Sequence, residues 1–340
     1  MSLQVDTGAD RPTPIGGRSA RRHRRDDREQ RRSPRPSWTS RFDNRYAPYL
    51  YIAPFFVLFA IFGLYPLAYT AWVSLHEWDL IAANPTFVGL ANYTALLRDA
   101  DFWNSVVNTL AIFVISTVPQ LLLALWLANL LNRGLRARTS FRMGILIPNL
   151  TSTAAVAIVF SQLFGREFGL VNWALGLVGV DAIDWHANRF GAWIAVSTMV
   201  DWRWTGYNAL IFLAAMQAIP RDLYESAALD GARLVRQFWS ITVPLLRPTI
   251  IFCTVISTIG GLQLFTEPLL FNSGTNPIRG GTLRESQTIT MYMFENAFAP
   301  NFNFGYGSAI AWMLFLLIII VAVVNVALIR RTGRSGKGGL

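Results

Sequence analysis

The chain has 340 residues, of which 53% are hydrophobic and only 15% charged, with a mean hydropathy of +0.35. An average soluble domain carries about a quarter charged residues, so this balance points away from a soluble enzyme and toward a polytopic membrane protein. The formal net charge of +10 is concentrated at the N-terminus, where residues 1–45 hold twelve Arg against six Asp and Glu, so the basic balance describes a tail and not a surface. Cys253 is the only cysteine and lies in an apolar run, which excludes an intramolecular disulfide and a cysteine-built zinc site.

The first element, residues 1–47, centres on "RRHRRDDREQRRSPRPS". It has too little apolar surface to offset chain entropy and is expected to be disordered. Its arginines would serve nucleic acid or anionic lipid, or form a cytoplasmic tail under the positive-inside rule. The apolar segment that follows is too long for the core of a cleavable signal peptide.

Six apolar segments follow, near Leu50–Leu75, Val106–Leu131, Met143–Phe164, Phe190–Ala218, Thr249–Phe271 and Tyr306–Ile329. Each reaches the roughly 20 residues a helix needs to cross the hydrocarbon core. The loop after the second segment holds Arg133, Arg136, Arg138 and Arg142, and the C-terminal end holds Arg330, Arg331, Arg334 and Lys337. The first alternate loop holds Glu77, Asp79, Asp99 and Asp101 against Arg98, and the third holds Asp181 and Asp184. This asymmetry puts both termini and the 219–248 loop on the cytoplasmic side. Trp72, Trp78, Trp103, Trp185 and Trp193 fall near the outer ends, as an aromatic belt would. Asn92-Tyr93-Thr94 matches the glycosylation pattern and reads as a chance match in an outer loop.

The 219–248 loop is about thirty residues long, more than a turn between helices requires. Asp222 is a candidate N-cap with Glu225 completing a capping box, and "ESAAL" then forms a short helix. Asp230-Gly231 signals a turn in which glycine takes a positive φ. A second helical piece runs from Ala232 to about Thr242, with Leu234, Phe238 and Ile241 at helical spacing. Pro244 and Pro248 constrain the return into the membrane. Such a unit is either a helix pair lying among headgroups or a docking element for a cytoplasmic partner.

Glu225, Ala227, Asp230, Gly231, Ala232, Phe238, Ile241, Pro244 and Pro248 match in register the "EAA" loop of binding-protein-dependent ABC importers, with Ser226 in place of the first alanine. "FVGLANY" (Phe87–Tyr93), "FWNSVVNTL" (Phe102–Leu110) and "FGYGSAIAW" (Phe304–Trp312) resemble elements of the carbohydrate permeases in that family. The resemblance implies an all-α integral membrane protein of the type I importer fold, with six transmembrane helices, both termini inside and a cytoplasmic coupling helix. It implies a permease domain over 48–332, with 333–340 as a C-terminal tail. It also implies that the loop docks on an ATP-hydrolysing subunit. The expected assembly adds a second permease, two ATP-binding subunits that hold the ATP and Mg, and an extracytoplasmic solute-binding protein. The expected cargo is a di- or oligosaccharide, and the expected location a prokaryotic cytoplasmic membrane.

Nothing in the sequence forms a hydrolytic or transfer site. His23, His76 and His186 sit in the tail and outer loops, and "GRSGKGGL" lacks the spacing and hydroxyl residue of a phosphate-binding loop. No cofactor is expected in this chain. The intramembrane polar residues are more telling, because such groups face a cavity or a partner. Asp201 and Arg203, at i and i+2, do not face each other, and one or both are expected to lie near an interface or to pair with other helices. Asn208 shares a face with Asp201 and offers an amide donor and acceptor. Gln263 and Glu267, at i and i+4, are expected on one face of the fifth helix, with Phe265 and Phe271 supplying ring surface. Sugars require both kinds of partner, although the same residues would also serve as glue between helices. The alternatives are an ABC permease for glycerol phosphate or a polyamine, a secondary transporter or channel, and a membrane enzyme acting on lipid-linked sugars.

Overall fold

The computed structural model describes residues 38–79, 84–133, 138–274, 276–298 and 301–332. The chain divides into two units, 1–67 and 68–340. In its described part the first consists of helix α1 (Trp38–Phe59), a π-turn at Ala60–Leu64 and the start of α2 (Tyr65–Ser74). Helix α1 begins at Trp38, inside the stretch expected to be disordered, where aromatic residues return to the sequence. The rest of that stretch, and the C-terminal tail 333–340, lie outside the described residues.

In the second unit, α2 leads into a short antiparallel ribbon of β1 (His76–Glu77) and β2 (Thr86–Phe87). Helix α3 (Ala91–Arg98) precedes the long α4 (Ala100–Asn132), whose N-cap Asp99 accepts from the Asp101 N–H at 2.9 Å. Then come α5 (Arg138–Leu150), α6 (Thr153–Leu163), α7 (Leu170–Gly176) and the long α8 (Arg189–Gln217). The loop 219–248 holds α9 (Arg221–Leu229), α10 (Leu234–Gln237), a π-turn at Phe238–Thr242 and α11 (Val243–Leu245). The remaining helices are α12 (Arg247–Leu262), α13 (Thr266–Phe271), α14 (Ile289–Ala297) and α15 (Phe304–Thr332).

Among the described residues, three helical stretches are long and apolar enough to cross a membrane: Tyr49–Ser74, Ala100–Asn132 and Phe304–Ile329. Two bent pairs raise the number to five if each is one span. Thr139–Leu150 and Thr153–Leu163 meet at 89°, and Leu234–Leu245 and Arg247–Leu262 at 69°. The third expected segment is therefore not one straight helix. Pro148 removes a backbone donor near the end of α5, and Ser152 stands extended ahead of α6. The fourth, α8, has 29 residues but carries Asp201 and Arg203 at its middle.

Helix α8 packs along α4, and small side chains make this possible. Ser105, Thr109, Ser116 and Ala124 are fully buried on α4, as are Ala192, Ala195 and Ala209 on α8. Small residues let membrane helices approach until dispersion contacts replace lipid contacts. Gly206 carries this furthest, because a Cβ there would stand 1.7 Å from the backbone oxygen of Ile145 on α5.

Two buried asparagines lock the loops at one end of these helices. The Asn108 amide donates to the carbonyls of Arg284 (2.8 Å) and Gln287 (3.1 Å), while its oxygen accepts from Arg189 Nε and Trp193 Nε1. Asn172 donates to the carbonyls of Arg166 and Ile183, and accepts from Trp185 Nε1 at 2.8 Å. Trp185 and Trp193 are thus buried partners in a packed core, not members of an aromatic belt. Trp72 and Trp103 remain exposed.

Candidate functional site: a cavity at a broken helix and a capped loop

The fifth expected segment breaks in the middle. Helix α12 ends at Leu262 with Gln263 as its C-cap, and α13 starts at Thr266. Pro268 has no N–H to give to the carbonyl of Leu264, so a continuous helix would leave that oxygen unpaired in an apolar surround. Instead the Leu264 carbonyl accepts from the hydroxyls of Thr288 (2.7 Å) and Thr290. Gly260 and Gly261 just before the break have little helix preference of their own.

The break opens a cavity of about 440 Å³. Thr117 and Gln120 from α4, Trp204, Tyr207 and Asn208 from α8, and Ser257 from α12 line it. The broken strip from Gln263 to Glu267 closes the wall. Asn208 donates to the Ser257 hydroxyl at 3.2 Å. All four candidates named from the sequence, Asn208, Gln263, Phe265 and Glu267, reach this one space. The reason differs from the one the sequence suggested. Gln263 and Glu267 do not sit one turn apart on a helix face; the interruption of the helix turns both toward the cavity. Phe271 is not part of it, and is fully buried with its ring stacked on His186 at 4.3 Å.

Glu267 has a partner that sequence reasoning did not find. Its Oε1 lies 2.6 Å from Nη1 of Arg203 on α8, and both side chains are 10% exposed. Arg203 therefore pairs with another helix, as expected. Asp201 lies outside the cavity lining, and its buried Oδ1 has no partner among the described residues. Trp204 and Tyr207 were also missed, although their spacing to Asn208 on one helix was a readable signal.

The 219–248 loop has its own geometry. The N-cap of α9 is Pro220, not Asp222, and the helix begins earlier than expected. The capping box with Glu225 does not form; Asp222 sits inside the first turn, and its carbonyl accepts from Ser226 Oγ at 2.8 Å. Pro220 makes no side-chain cap hydrogen bond, so the capping role assigned to Asp222 is not filled. The C-terminal end follows the expectation. Gly231 has φ +76°, the Ala232 N–H bonds the Ala227 carbonyl at 2.9 Å, and the Gly231 N–H bonds that of Ala228 at 3.0 Å. This is a Schellman cap, so Ala227, Asp230, Gly231 and Ala232 act together as one stop signal. Helix α10 is shorter than expected, because a π-turn takes over at Phe238. Phe238, Ile241 and Pro244 are half-buried, Tyr224 bonds Thr242 at 2.9 Å, and Glu225 and Asp230 are exposed. Leu229, Leu234, Val235 and Trp239 stand exposed at the tip.

A helical chain with candidate membrane spans, an internal polar cavity and a rigidly capped loop is built as a membrane transport component. The chain belongs to the family described as binding-protein-dependent transport system inner membrane component, which it matches over residues 120–334. It is 33% identical over 298 residues to the sulfoquinovosyl glycerol transport system permease protein SmoG of Agrobacterium fabrum, covering 87% of this chain and 94% of that one. It is 34% identical over 273 residues to the lactose transport system permease protein LacF of Rhizobium radiobacter, covering 79% and 89%. Its fold is shared with a chain in the crystal structure of a bacterial alginate ABC transporter in complex with an alginate pentasaccharide-bound periplasmic protein. That match has a TM-score of 0.71 and 19% identity, and covers 90% of this chain and all of the other.

Proposed function

We propose that this chain is a sugar permease subunit of an ATP-driven importer, and that the cavity between α4, α8 and α12–α13 is its substrate path. The observation that carries this reading is the composition of the cavity wall. Hydroxyl and amide groups of Thr117, Gln120, Asn208, Ser257 and Gln263 alternate there with the ring surfaces of Trp204, Tyr207 and Phe265. A saccharide needs hydrogen-bond partners around its rim and flat apolar surface against its faces. The named cargo of one relative, lactose, supports a di- or oligosaccharide scale.

In this reading the chain crosses the cytoplasmic membrane of a prokaryote six times, with both termini inside. The three candidate spans supply three crossings, the bent pair Thr139–Leu150 and Thr153–Leu163 a fourth, α8 a fifth and α12–α13 the sixth. The 219–248 loop docks on one of two ATP-binding subunits through Glu225–Pro244, with its exposed tip of Leu229, Leu234, Val235 and Trp239 covered by that partner. ATP and Mg belong to those subunits, and this chain holds no cofactor. A second, related permease and an extracytoplasmic binding protein complete the assembly. Closure of the ATPases moves the capped loop as a unit and switches the access of the cavity.

Uptake by Glu267→Ala and Gln263→Ala complexes, normalised to the amount assembled, tests the path. Losing one or two hydrogen bonds at about 1.5 kcal/mol each would weaken uptake about tenfold or more. Normal uptake by both variants would remove this cavity from consideration.

A further inference from the structure

The charge in the cavity wall is arranged asymmetrically. Glu267 is the only formally charged side chain among the described residues that line the cavity, and no described arginine, lysine or histidine does so. Its counter-ion, Arg203, lies behind the wall: Val200, Trp204 and Tyr207 of the same helix line the space, and Arg203 does not. The pair is made through a single oxygen, Oε1, at 2.6 Å. The Nε of Arg203 is buried and has no partner among the described residues. The acidic member of the pair thus belongs to the cavity lining and the basic member does not.

This order has a consequence for cargo. In its ion pair with Arg203, Glu267 presents carboxylate oxygens that accept hydrogen bonds. A neutral polyol can donate hydroxyls to it and exchange further hydrogen bonds with Asn208, Ser257 and Gln263. An anionic solute would meet a like charge in a poorly screened wall, with no lining cation to offset it. We infer that the cavity selects uncharged, hydroxyl-bearing solutes and rejects anionic sugars such as uronic acids and sulfonated or phosphorylated saccharides, with the Glu267–Arg203 pair as the selecting element. This rests on the reading of the cavity as the substrate path.

The test uses the assembled importer in proteoliposomes, given neutral di- and trisaccharides and their uronic-acid counterparts. The same binding protein is used throughout, so a change in the acid-to-neutral uptake ratio between variants reports the cavity. Wild type should favour the neutral members by about tenfold or more. Glu267→Gln keeps the shape and uncovers the Arg203 cation, so the ratio should rise about tenfold or more. The double variant Glu267→Gln/Arg203→Leu removes both charges and should give an intermediate ratio; it decides the matter if the single variant does not assemble. An unchanged ratio in the variants that assemble would overturn the inference. A wild type that imports acidic and neutral members equally would overturn it alone and leave the substrate-path reading standing. A wild type that imports no saccharide but a different class of solute would overturn both.

Discussion

Replacing Gly206 by alanine tests the packing that holds the cavity in shape. The added Cβ would lie 1.7 Å from the Ile145 carbonyl oxygen and 2.7 Å from its carbon, both backbone atoms of α5. Carbon and oxygen do not approach closer than 3.0 Å, so α5 and α8 must part by at least 1.3 Å at that point, the difference between 3.0 and 1.7. No side-chain rotation relieves the overlap, because the obstacle is main chain. Overpacking in a well-filled interior costs about 1–3 kcal/mol, and a backbone obstacle puts this case at the upper end. The displacement also carries Trp204, Tyr207 and Asn208, which flank Gly206 and line the cavity. Gly260→Ala is the control, since a Cβ there meets nothing within 4 Å although the residue lines the same cavity. The assay is the thermal midpoint and monodisperse fraction of the detergent-solubilised protein, measured by fluorescence-detected size exclusion. Gly206→Ala should lower both, and Gly260→Ala should leave them unchanged or slightly raised. Equal behaviour of the two variants would refute the argument that the α5–α8 approach requires glycine.

Gly231→Val should cost about 1–2 kcal/mol, because a branched side chain is forced to φ +76°. Membrane insertion should persist while sugar-stimulated ATPase activity of the assembled complex falls, and unchanged activity would count against a coupling role. Burial raises the Glu295 pKa, but hydrogen bonds from Arg284 and Gln287 and the Arg284 charge outweigh it and leave the carboxyl below its ordinary value of 4.5. Its contribution to the loop is therefore complete above about 4.5 and is lost as pH falls through the lower folded value. Amide exchange in residues 277–297, corrected for intrinsic rates, should accelerate over that interval, and Glu295→Gln should abolish the dependence; a flat wild-type profile would remove this role. For topology, Cys253 is buried, so a cysteine introduced at Ser140 or Asn301 can be read against a low background. Impermeant reagent should reach Ser140→Cys from the cytoplasmic side only and Asn301→Cys from outside only; labelling from the same side would sink the six-span arrangement.

The sequence by itself determined the helical membrane class, the approximate position of each apolar segment and the glycine cap of the 219–248 loop. These are local properties. Hydropathy is a sum over adjacent residues, and the Gly231 cap is made within the few residues from Ala227 to Ala232. It also pointed to Asn208, Gln263 and Glu267 as polar residues that lipid would not tolerate facing it, and to Phe265 as ring surface beside them. Tertiary structure alone decided how they meet. Whether the fifth segment continues or breaks depends on Thr288 and Thr290, which reach the Leu264 carbonyl from more than twenty residues away. Whether Glu267 is a lone or a paired carboxylate depends on Arg203, 64 positions away on another helix. Whether Trp193 belongs to a lipid belt or to a core depends on Asn108, 85 positions away. Local pattern records which groups must find partners. Only the packing of α4, α8 and α12 against one another records which partner each group finds, because that choice is made between residues whose proximity no local period encodes.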